Sequence, residues 1–381
     1  MFYEEFLGLP LVSTFEIDEG RALHTLESGA VEILVMKIRH LNPGRRRGAG
    51  SGQQGPPVMM PAFRHPSRDF RQPMQSIPLC PITGLPASRR IQPISARLLI
   101  RLWRGSFGVA TDRQLGNIEH FGLWESPCGL AFFEPMLMGD EAFYLELYQR
   151  GDFHRALNAP GLARAEFRRV AEIVRAGEKV LDVGCGEAGL ARHLPHATYV
   201  GLDPHRHATG TEPDVRNETI AQHAASYPKE YDVVCAFHAI EHVADPLGFA
   251  RDLAMCIRPG GRLCIVVPSR VSAITEIPNF VLNAPPHHLS WWNEDALRAL
   301  SDRLDLLTEA IEAVPFSFDT IIYWMGRCAP KLTGKRYFRA HWIWCGALAW
   351  SWLLGRACDA VFRIPTAAKP SALLLVARKP R

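Results

Sequence analysis

Three glycines and two acids in the middle of the chain form the pattern with the clearest chemistry. Gly184-x-Gly186-x-x-Gly189 follows an apolar run that ends at Asp182, and Asp203 stands nineteen residues after the first glycine. Glycine allows a tight turn and lets a ligand approach the backbone without a Cβ in the way. A helix that follows offers free N–H groups to a carboxylate or phosphate, and an acid at this spacing accepts hydrogen bonds from ribose hydroxyls. The pattern indicates a site for a nucleoside-containing cofactor.

Histidines farther along the chain are the candidates for proton transfer. They are His238, His242 in a Glu241–His242 turn, and the pair His287 and His288 after two prolines. Histidine changes its protonation near neutral pH, so one held over a cofactor can act as a general base. For His242 the alternative is that it orients the loop through hydrogen bonds. The candidate catalytic residues are His287, His288 and His242, and no metal ligand is assigned.

Alternating strand and helix patterns over 160–316 would position these residues. A helix is predicted over 162–176. Strands are predicted at 179–183, 198–202, 215–220, 231–237, 262–268 and 304–314, with a last strand at 372–377. Strands separated by helical patterns predict a parallel sheet that is covered on both faces.

Two longer segments resemble a known family. YDVVCAFHAIEHVADPLGFARDLAMCIRPGGRLCIVVPSR (231–270) and NAPPHHLSWWNEDALRAL (283–300) are similar to class I S-adenosylmethionine-dependent methyltransferases, in particular the small-molecule type 11/12/23 group. The resemblance covers about 160–316 and the final strand. It implies an α/β, Rossmann-like, seven-stranded and mostly parallel sheet with helices on both faces and the last strand antiparallel. A Tyr-x-x-x-Lys pair after the fourth strand is missing, which argues against hydride transfer from a dinucleotide.

The resemblance implies that S-adenosylmethionine is the cofactor. The adenine contact falls near Glu218–Thr219. The residues expected to bind the methionine end are Asp182, Gly184, Cys185, Gly186 and Gly189, with Asp203 on the ribose and Phe237 and His238 beside the reactive face.

The activity implied is methyl transfer to a small-molecule acceptor, including sugar or lipid-linked acceptors. One alternative is a cofactor-binding or scaffold protein that has lost transfer activity. Another is a metal-dependent RNA 2′-O-methyltransferase, because His238-x-x-Glu241-His242 with His287 or His288 resembles the Glu-x-x-Glu-His set of small-RNA 3′-end enzymes. In that comparison His238 stands where the family has its first glutamate.

Composition divides the rest of the chain. Residues 1–79 are Pro-, Gly- and Arg-rich over much of their length and predict a poorly ordered extension or linker. Residues 80–155 resemble a zinc ribbon that keeps Cys80 and Cys128, while Thr83 and Glu125 stand where the other two cysteines would be. Since a structural zinc needs four N or S ligands, a metal-free cap is expected. The methyltransferase domain is predicted over 156–381.

A helical insertion is expected at 324–370, before the last strand. Five of the nine tryptophans lie there, and the stretch from 324 to 381 contains eleven Lys and Arg but a single acid. Trp342–Leu354 is too short to span a bilayer, so it predicts an interfacial helix at a membrane surface, a lid over the substrate, or a homodimer contact through 324–362.

Charge and cysteines bear on partners and compartment. The net charge of +4 is too small for a dedicated nucleic-acid binder. Nine scattered cysteines and the acidic opening MFYEEF indicate a cytoplasmic protein without a secretory signal. Contact with the inner face of the membrane is the alternative.

Overall fold

The computed structural model describes three short strands near the N-terminus and most of the chain from residue 77 onward. The described ranges are 11–17, 21–26, 33–37, 77–150, 164–204, 214–314, 320–331, 336–365 and 370–381. The N-terminal strands β1 (Leu11–Ile17), β2 (Arg21–Leu26) and β3 (Ile33–Lys37) form a three-stranded sheet in that order. Of these strands, only β3 falls on a strand-like apolar run in the sequence, at 31–38.

A second sheet lies in the segment predicted as a cap. Its elements are β4 (Arg89–Ser95), α1 (Ala96–Phe107), α2 (Asp112–Leu115), β5 (His120–Glu125), β6 (Ala131–Glu134) and α3 (Glu141–Arg150). The sheet takes a fourth strand, β12 (Ser290–Trp291), from the methyltransferase-like segment, in the order β12-β6-β5-β4. The predicted aromatics pack here: Trp103, Phe121 and Phe133 are fully buried, and Phe107 is partly buried against them. Trp124 and Phe132 face the central sheet and join its core.

A seven-stranded sheet forms the centre of the main body. Its strands are β7 (Lys179–Val183), β8 (Thr198–Leu202), β9 (Val215–Arg216), β10 (Tyr231–Phe237), β11 (Ile257–Pro268), β13 (Leu307–Val314) and β14 (Ala372–Arg378). The order is β13-β14-β11-β10-β7-β8-β9, and only β14 runs antiparallel to its neighbours. The predicted Rossmann-like sheet with an antiparallel last strand is therefore confirmed.

Alternating side chains of the central strands enter two apolar layers. Val180 and Val233 pack with α4 (Ala165–Ile173) on one face, whereas Leu181 and Val234 pack with helices on the other face. Those helices are α5 (Ile220–Ser226), α6 (Pro246–Cys256) and α7 (Glu294–Arg303). The third strand is shorter than predicted because the hydroxyl of Thr219 accepts the N–H of Gln222 and starts α5 at residue 220.

The C-terminal insertion contains two helices that pack on each other, α8 (Thr320–Cys328) and α9 (Ile343–Val361). Gly355 allows this contact, because a Cβ there would lie 2.9 Å from the Cγ of Met325. The segment between the helices is tied to the cap, where the side chain of Gln92 accepts the N–H of Tyr337 at 2.8 Å and donates to the carbonyl of Phe338 at 2.6 Å. The predicted helical insertion is therefore present in the described residues, anchored at one side.

Candidate active site

The glycine loop turns tightly at the carboxyl end of β7. Gly184 and Gly186 have φ angles of 73° and 51°, in the region that glycine enters without steric cost. The N–H groups of Gly184 and Cys185 donate to the carbonyl of Leu202 at 2.8 and 3.1 Å. The N–H of Gly186 donates to Oδ2 of Asp203 at 2.9 Å. These bonds hold the loop against the end of β8 and place Asp203 beside the second glycine.

Space and charge around this loop fit a cationic, ribose-bearing cofactor. A Cβ on Gly186 would meet no heavy atom within 4 Å, so the backbone there borders open space. Asp182 is 2% exposed, and its Oδ1 has no hydrogen-bond partner within the described part of the chain. Burial raises the pKa of this carboxyl to about 7, although the hydroxyl of Tyr199 donates to Oδ2 at 2.9 Å. A nearby positive charge would relieve a buried, unsatisfied carboxylate.

The segment after the loop differs from the prediction. Instead of an α-helix, Gly189–His193 forms a short 3₁₀ helix, so the predicted helix N-terminus aimed at the ligand is wrong. Gly189 packs against Phe167, and Phe237 meets the same ring edge-on with centroids 4.9 Å apart. Direct contact of Gly189, Cys185 or Phe237 with the cofactor stays a prediction.

The residues predicted near adenine are engaged locally. Oε1 of Glu218 lies 2.9 Å from Nδ1 of His223, and Thr219 caps α5.

His238 lies at the end of β10 between two buried carboxylates. Its φ is 52°. Its Nε2 is 3.8 Å from Oε1 of Glu166, and its Nδ1 is 3.5 Å from Oε1 of Glu241. Burial alone would lower the pKa of His238, but the two carboxylates outweigh it and raise the pKa. Burial likewise opposes the hydrogen bond from His238 and the charge of Arg164, which together lower the pKa of Glu166 to about 2. His238 is thus held in place by two carboxylates that favour its protonated form.

His242, His287 and His288 form a histidine cluster next to Glu241. One ring nitrogen of each histidine lies within 4.8 Å of the others, and the ring centroids are 4.4, 4.6 and 4.8 Å apart. Burial lowers the pKa of His242 and holds those of His287 and His288 well below the ordinary value. The structure therefore brings the three sequence-predicted catalytic candidates together as neutral imidazoles.

The glycine loop lies next to the turn that leads into the histidine cluster. A Cβ on Gly184 would lie 3.3 Å from the Cβ of Ala239, and Ala239 is the residue between His238 and the turn that carries His242. On α3, the pKa of Tyr148 is raised to about 12 by burial and by the charges of Asp203 and Glu241. This phenol is thus within electrostatic reach of both the predicted ribose acid and the histidine cluster.

Several residues around the glycine loop and the histidine cluster were not predicted from the sequence. Glu166 and the two tyrosines Tyr144 and Tyr148 lie outside the segments that carry the motifs, and Asn283 contributes through its amide, whose Oδ1 lies 3.0 Å from Nδ1 of His288. The ring centroid of Tyr144 is 6.2 Å from that of His242. A usable signal existed for Glu166, since it is a charged residue beside Phe167 on the apolar side of α4.

The two cap cysteines are neighbours. Their sulfur atoms, in Cys80 and Cys128, are 3.8 Å apart, and the Thr83 N–H points at the first sulfur at 3.4 Å. The hydroxyl of Ser126 lies 3.0 Å from the second sulfur. Three of the four ribbon positions, Cys80, Thr83 and Cys128, therefore lie together, whereas the carboxylate of Glu125 pairs with Arg89 and Arg270. The zinc-free state stays a prediction.

Comparisons with known proteins agree with this geometry. A family model described as "Methyltransferase domain" matches residues 154–309. Ubiquinone biosynthesis O-methyltransferase of Klebsiella pneumoniae is 38% identical over 99 residues, which are 23% of this chain and 41% of the relative. The Escherichia coli protein of the same name is 40% identical over 97 residues, 22% of this chain and 40% of the relative. The chain thus spans about two fifths of the curated relatives it matches.

Solved structures give weaker likenesses. A S-adenosylmethionine-dependent methyltransferase from Archaeoglobus fulgidus is 18% identical with a TM-score of 0.39, covering 60% of this chain and 98% of that one. The 1,6-didemethyltoxoflavin-N1-methyltransferase of Burkholderia thailandensis, solved with 1,6-didemethyltoxoflavin and S-adenosylhomocysteine, is 11% identical with a TM-score of 0.38, covering 70% and 97%. The family match, the strand order and the glycine loop with its spaced acid are the stronger findings. Together they show that the chain contains a methyltransferase domain of the class I, S-adenosylmethionine-dependent family.

Proposed function

We propose that this chain transfers a methyl group from S-adenosylmethionine to a small-molecule acceptor. The observation that carries the proposal is the contact between Gly184 and Ala239, from which we infer that the cofactor loop and the histidine cluster border one cleft. The cofactor supplies a methyl group on a sulfonium, whose leaving group is already good. The chain therefore has to align the acceptor and, where the acceptor carries a proton, to remove it.

The residues of the proposed site divide these tasks. Asp203 holds the ribose, Gly184 and Gly186 border the methionine end, and Asp182 supplies negative charge beside the loop. Proton removal falls to the histidine cluster, because a neutral imidazole has a lone pair that accepts the proton of an acceptor hydroxyl. The candidates remain His287, His288 and His242. His238, whose pKa is raised by its two carboxylates, is a positioning group in this scheme.

The acceptor atom that fits best is oxygen. The curated relatives are named as O-methyltransferases, and a base is needed for a hydroxyl but not for every acceptor. His288 also borders a small pocket with Pro268, Asn283 and Trp291. The proposed acceptors are small hydroxyl compounds, including sugar and lipid-linked ones.

The C-terminal insertion is where such an acceptor would be reached at a membrane surface. Trp342 is 70% exposed and Trp350 is 56% exposed, whereas a lid over the substrate would bury them. Within the described residues, no helix is long and apolar enough to cross a bilayer. Exposed tryptophans flanked by Arg and Lys favour a helix that lies among headgroups. A contact between two copies of the chain is the competing proposal.

Cofactor binding and transfer are best tested separately. Calorimetry with S-adenosylmethionine and with NAD on the full chain tests the cofactor. Incubation with methyl-labelled cofactor and libraries of phenols, glycosides and lipid-linked glycosides, followed by mass spectrometry, tests the acceptor. Binding of NAD without S-adenosylmethionine would refute the proposal. Tight S-adenosylmethionine binding with no transfer to any acceptor would instead support the alternative of an inactive cofactor-binding protein.

A further inference from the structure

Each ring of the histidine cluster is oriented by a hydrogen bond at Nδ1. Nδ1 of His242 lies 2.8 Å from the carbonyl of His287, and Nδ1 of His287 lies 2.8 Å from the carbonyl of Leu282. Nδ1 of His288 lies 3.0 Å from Oδ1 of Asn283. All three partners are oxygen acceptors, so each Nδ1 must carry the proton and donate it. In a neutral ring this leaves Nε2 as a bare lone pair.

The cluster therefore presents three lone pairs and no proton to share among them. Nδ1–H donated to a carbonyl or amide, with Nε2 left open, is the arrangement that fixes histidine ligands around a metal ion. Three convergent imidazoles, each fixed in the same tautomer, are not needed for a single general base.

A second observation also calls for a cation. Glu241 is fully buried, and neither of its carboxylate oxygens has a hydrogen-bond partner among the residues described. Its Oε1 lies 3.8 Å from Nε2 of His242, so an acceptor oxygen faces an acceptor nitrogen across a short gap. Only part of this charge is offset, by His238 at 3.5 Å. Two buried acceptors facing each other are costly unless a cation lies near both.

We propose that His242, His287 and His288 bind one divalent transition-metal ion, of the Zn²⁺ or Co²⁺ class, with the Glu241 carboxylate neutralising part of its charge. Imidazole nitrogen is a ligand that such ions favour, whereas Mg²⁺ and Ca²⁺ prefer oxygen. Zn–N bonds of ~2.0–2.1 Å need nitrogens ~3.4 Å apart in a tetrahedral set. One ring nitrogen of each histidine lies within 4.8 Å of the others, so the rings would have to move closer together to hold one ion.

Three histidines leave a fourth position open toward the cleft, as in catalytic rather than structural zinc sites. An acceptor oxygen at that position would lose its proton more easily, because a bound cation lowers the pKa of a coordinated hydroxyl. In this form the metal-bound oxygen takes the place of the imidazole base. That role rests on the proposed methyl transfer, but the metal site itself does not, since it needs neither cofactor nor acceptor.

The test is a cobalt titration of the untagged, chelator-treated full chain, followed by visible absorption. One equivalent of Co²⁺ per chain with intense d–d bands is expected, displaced by Zn²⁺. His287→Ala and His242→Ala should each abolish the bands. Asn283→Leu removes only the acceptor of His288 Nδ1, and it should weaken Co²⁺ binding by about 10- to 100-fold, as outer partners of histidine ligands do.

Two controls make the outcome decisive. Cys80→Ser alters the ribbon-like unit and His120→Gln alters a half-exposed histidine on β5, and both should bind cobalt like the parent. Circular dichroism on every variant separates loss of a ligand from loss of the fold. Absence of stoichiometric Co²⁺ binding in the parent, or binding that survives His287→Ala in a folded variant, would overturn the metal site. Neither result depends on whether methyl transfer has been detected.

Discussion

The Cε2 atom of Phe167 lies 2.9 Å from the point at which a Cβ on Gly189 would stand. The third glycine of the motif is therefore required by a packed ring. The second glycine, Gly186, has open space in the same direction. The same Gly→Ala substitution at these two positions should accordingly have different effects.

Gly186→Ala should leave the fold nearly intact and weaken the cofactor. The φ of 51° costs a non-glycine residue about 1–2 kcal/mol, and the added methyl group occupies space that the ligand would enter. Gly189→Ala should instead lower the melting temperature more, because the Phe167 ring must move. Calorimetry with S-adenosylmethionine and thermal unfolding on both variants check this. Equal losses of affinity at equal stability would contradict the division.

Asp203→Ala should reduce the affinity for S-adenosylmethionine at least tenfold, because it removes charge-assisted hydrogen bonds to the ribose of about 1.5–3 kcal/mol each. It also removes the acceptor of the Gly186 N–H, so the loop loses a restraint at the same time. The matched control is Asp214→Ala, an acid one strand away that pairs with Arg216 at 3.2 Å. Calorimetry should show parent-like affinity for that control.

Asp182→Asn should stabilise the ligand-free protein, and more so at alkaline pH. The folded-state pKa of about 7 lies above the ordinary value of 3.8 for an aspartate, so stability supplied by the protonated carboxyl is fully present below the unfolded pKa. That stability is lost as the pH rises through about 7. At about 1.4 kcal/mol for each pKa unit, the gain near pH 8 should reach a few kcal/mol and vanish in acid. Urea unfolding at several pH values measures it; a pH-independent difference would contradict the buried charge.

Anionic vesicles should sediment the protein at low salt and release it at high salt. Exposed Trp342 and Trp350 would enter the headgroup region, and each nearby basic group adds about 1 kcal/mol when close to the surface. Trp342→Ala with Trp350→Ala should weaken binding, whereas Met255→Ala, which removes an exposed apolar side chain on α6, should not. Neutral vesicles give the reference. Absence of binding at low salt would leave self-association as the explanation, which sedimentation velocity then measures.

The central sheet could be predicted because its strands are short, nearly continuous apolar runs bounded by turn residues. The bounds of Lys179–Val183, Thr198–Leu202 and Tyr231–Phe237 are those predicted. The helix after the glycines was wrong for a reason visible in the sequence. Pro195 disfavours helical backbone at the residue before it, and the φ of −122° and ψ of 46° at Leu194 lie outside the helical region, so the segment ends after its first turns.

The histidine cluster could be predicted only as separate candidates. His242 and His287 are 45 positions apart in the sequence, and the pairing of β12 with β6 fixes the segment that follows His287 and His288. Neither the tautomers nor the buried state of Glu241 has a local signal, because both depend on which carbonyl or ring arrives from another element. The resemblance to a family supplied the cofactor side, where the contacts are local to the strand–loop–strand unit, and left the acceptor side open.

The strand β12 connects the loop that carries His287 and His288 both to the cap and to the turn at Glu241. Its Ser290 pairs with Phe132 of the cap, the carbonyl of Leu289 accepts the N–H of Phe133 at 2.9 Å, and the N–H of Leu289 donates to the carbonyl of Glu241 at 2.8 Å. The loop that carries His287 and His288 is thus held by hydrogen bonds to the cap on one side and to Glu241 on the other. A fragment of the chain that begins after the cap would keep the glycine loop. It would lose β6, whose pairing with β12 holds His287 and His288 in place. Under the proposed function, sequence changes in the cap can therefore alter which acceptor is bound without changing the glycine loop that holds the cofactor.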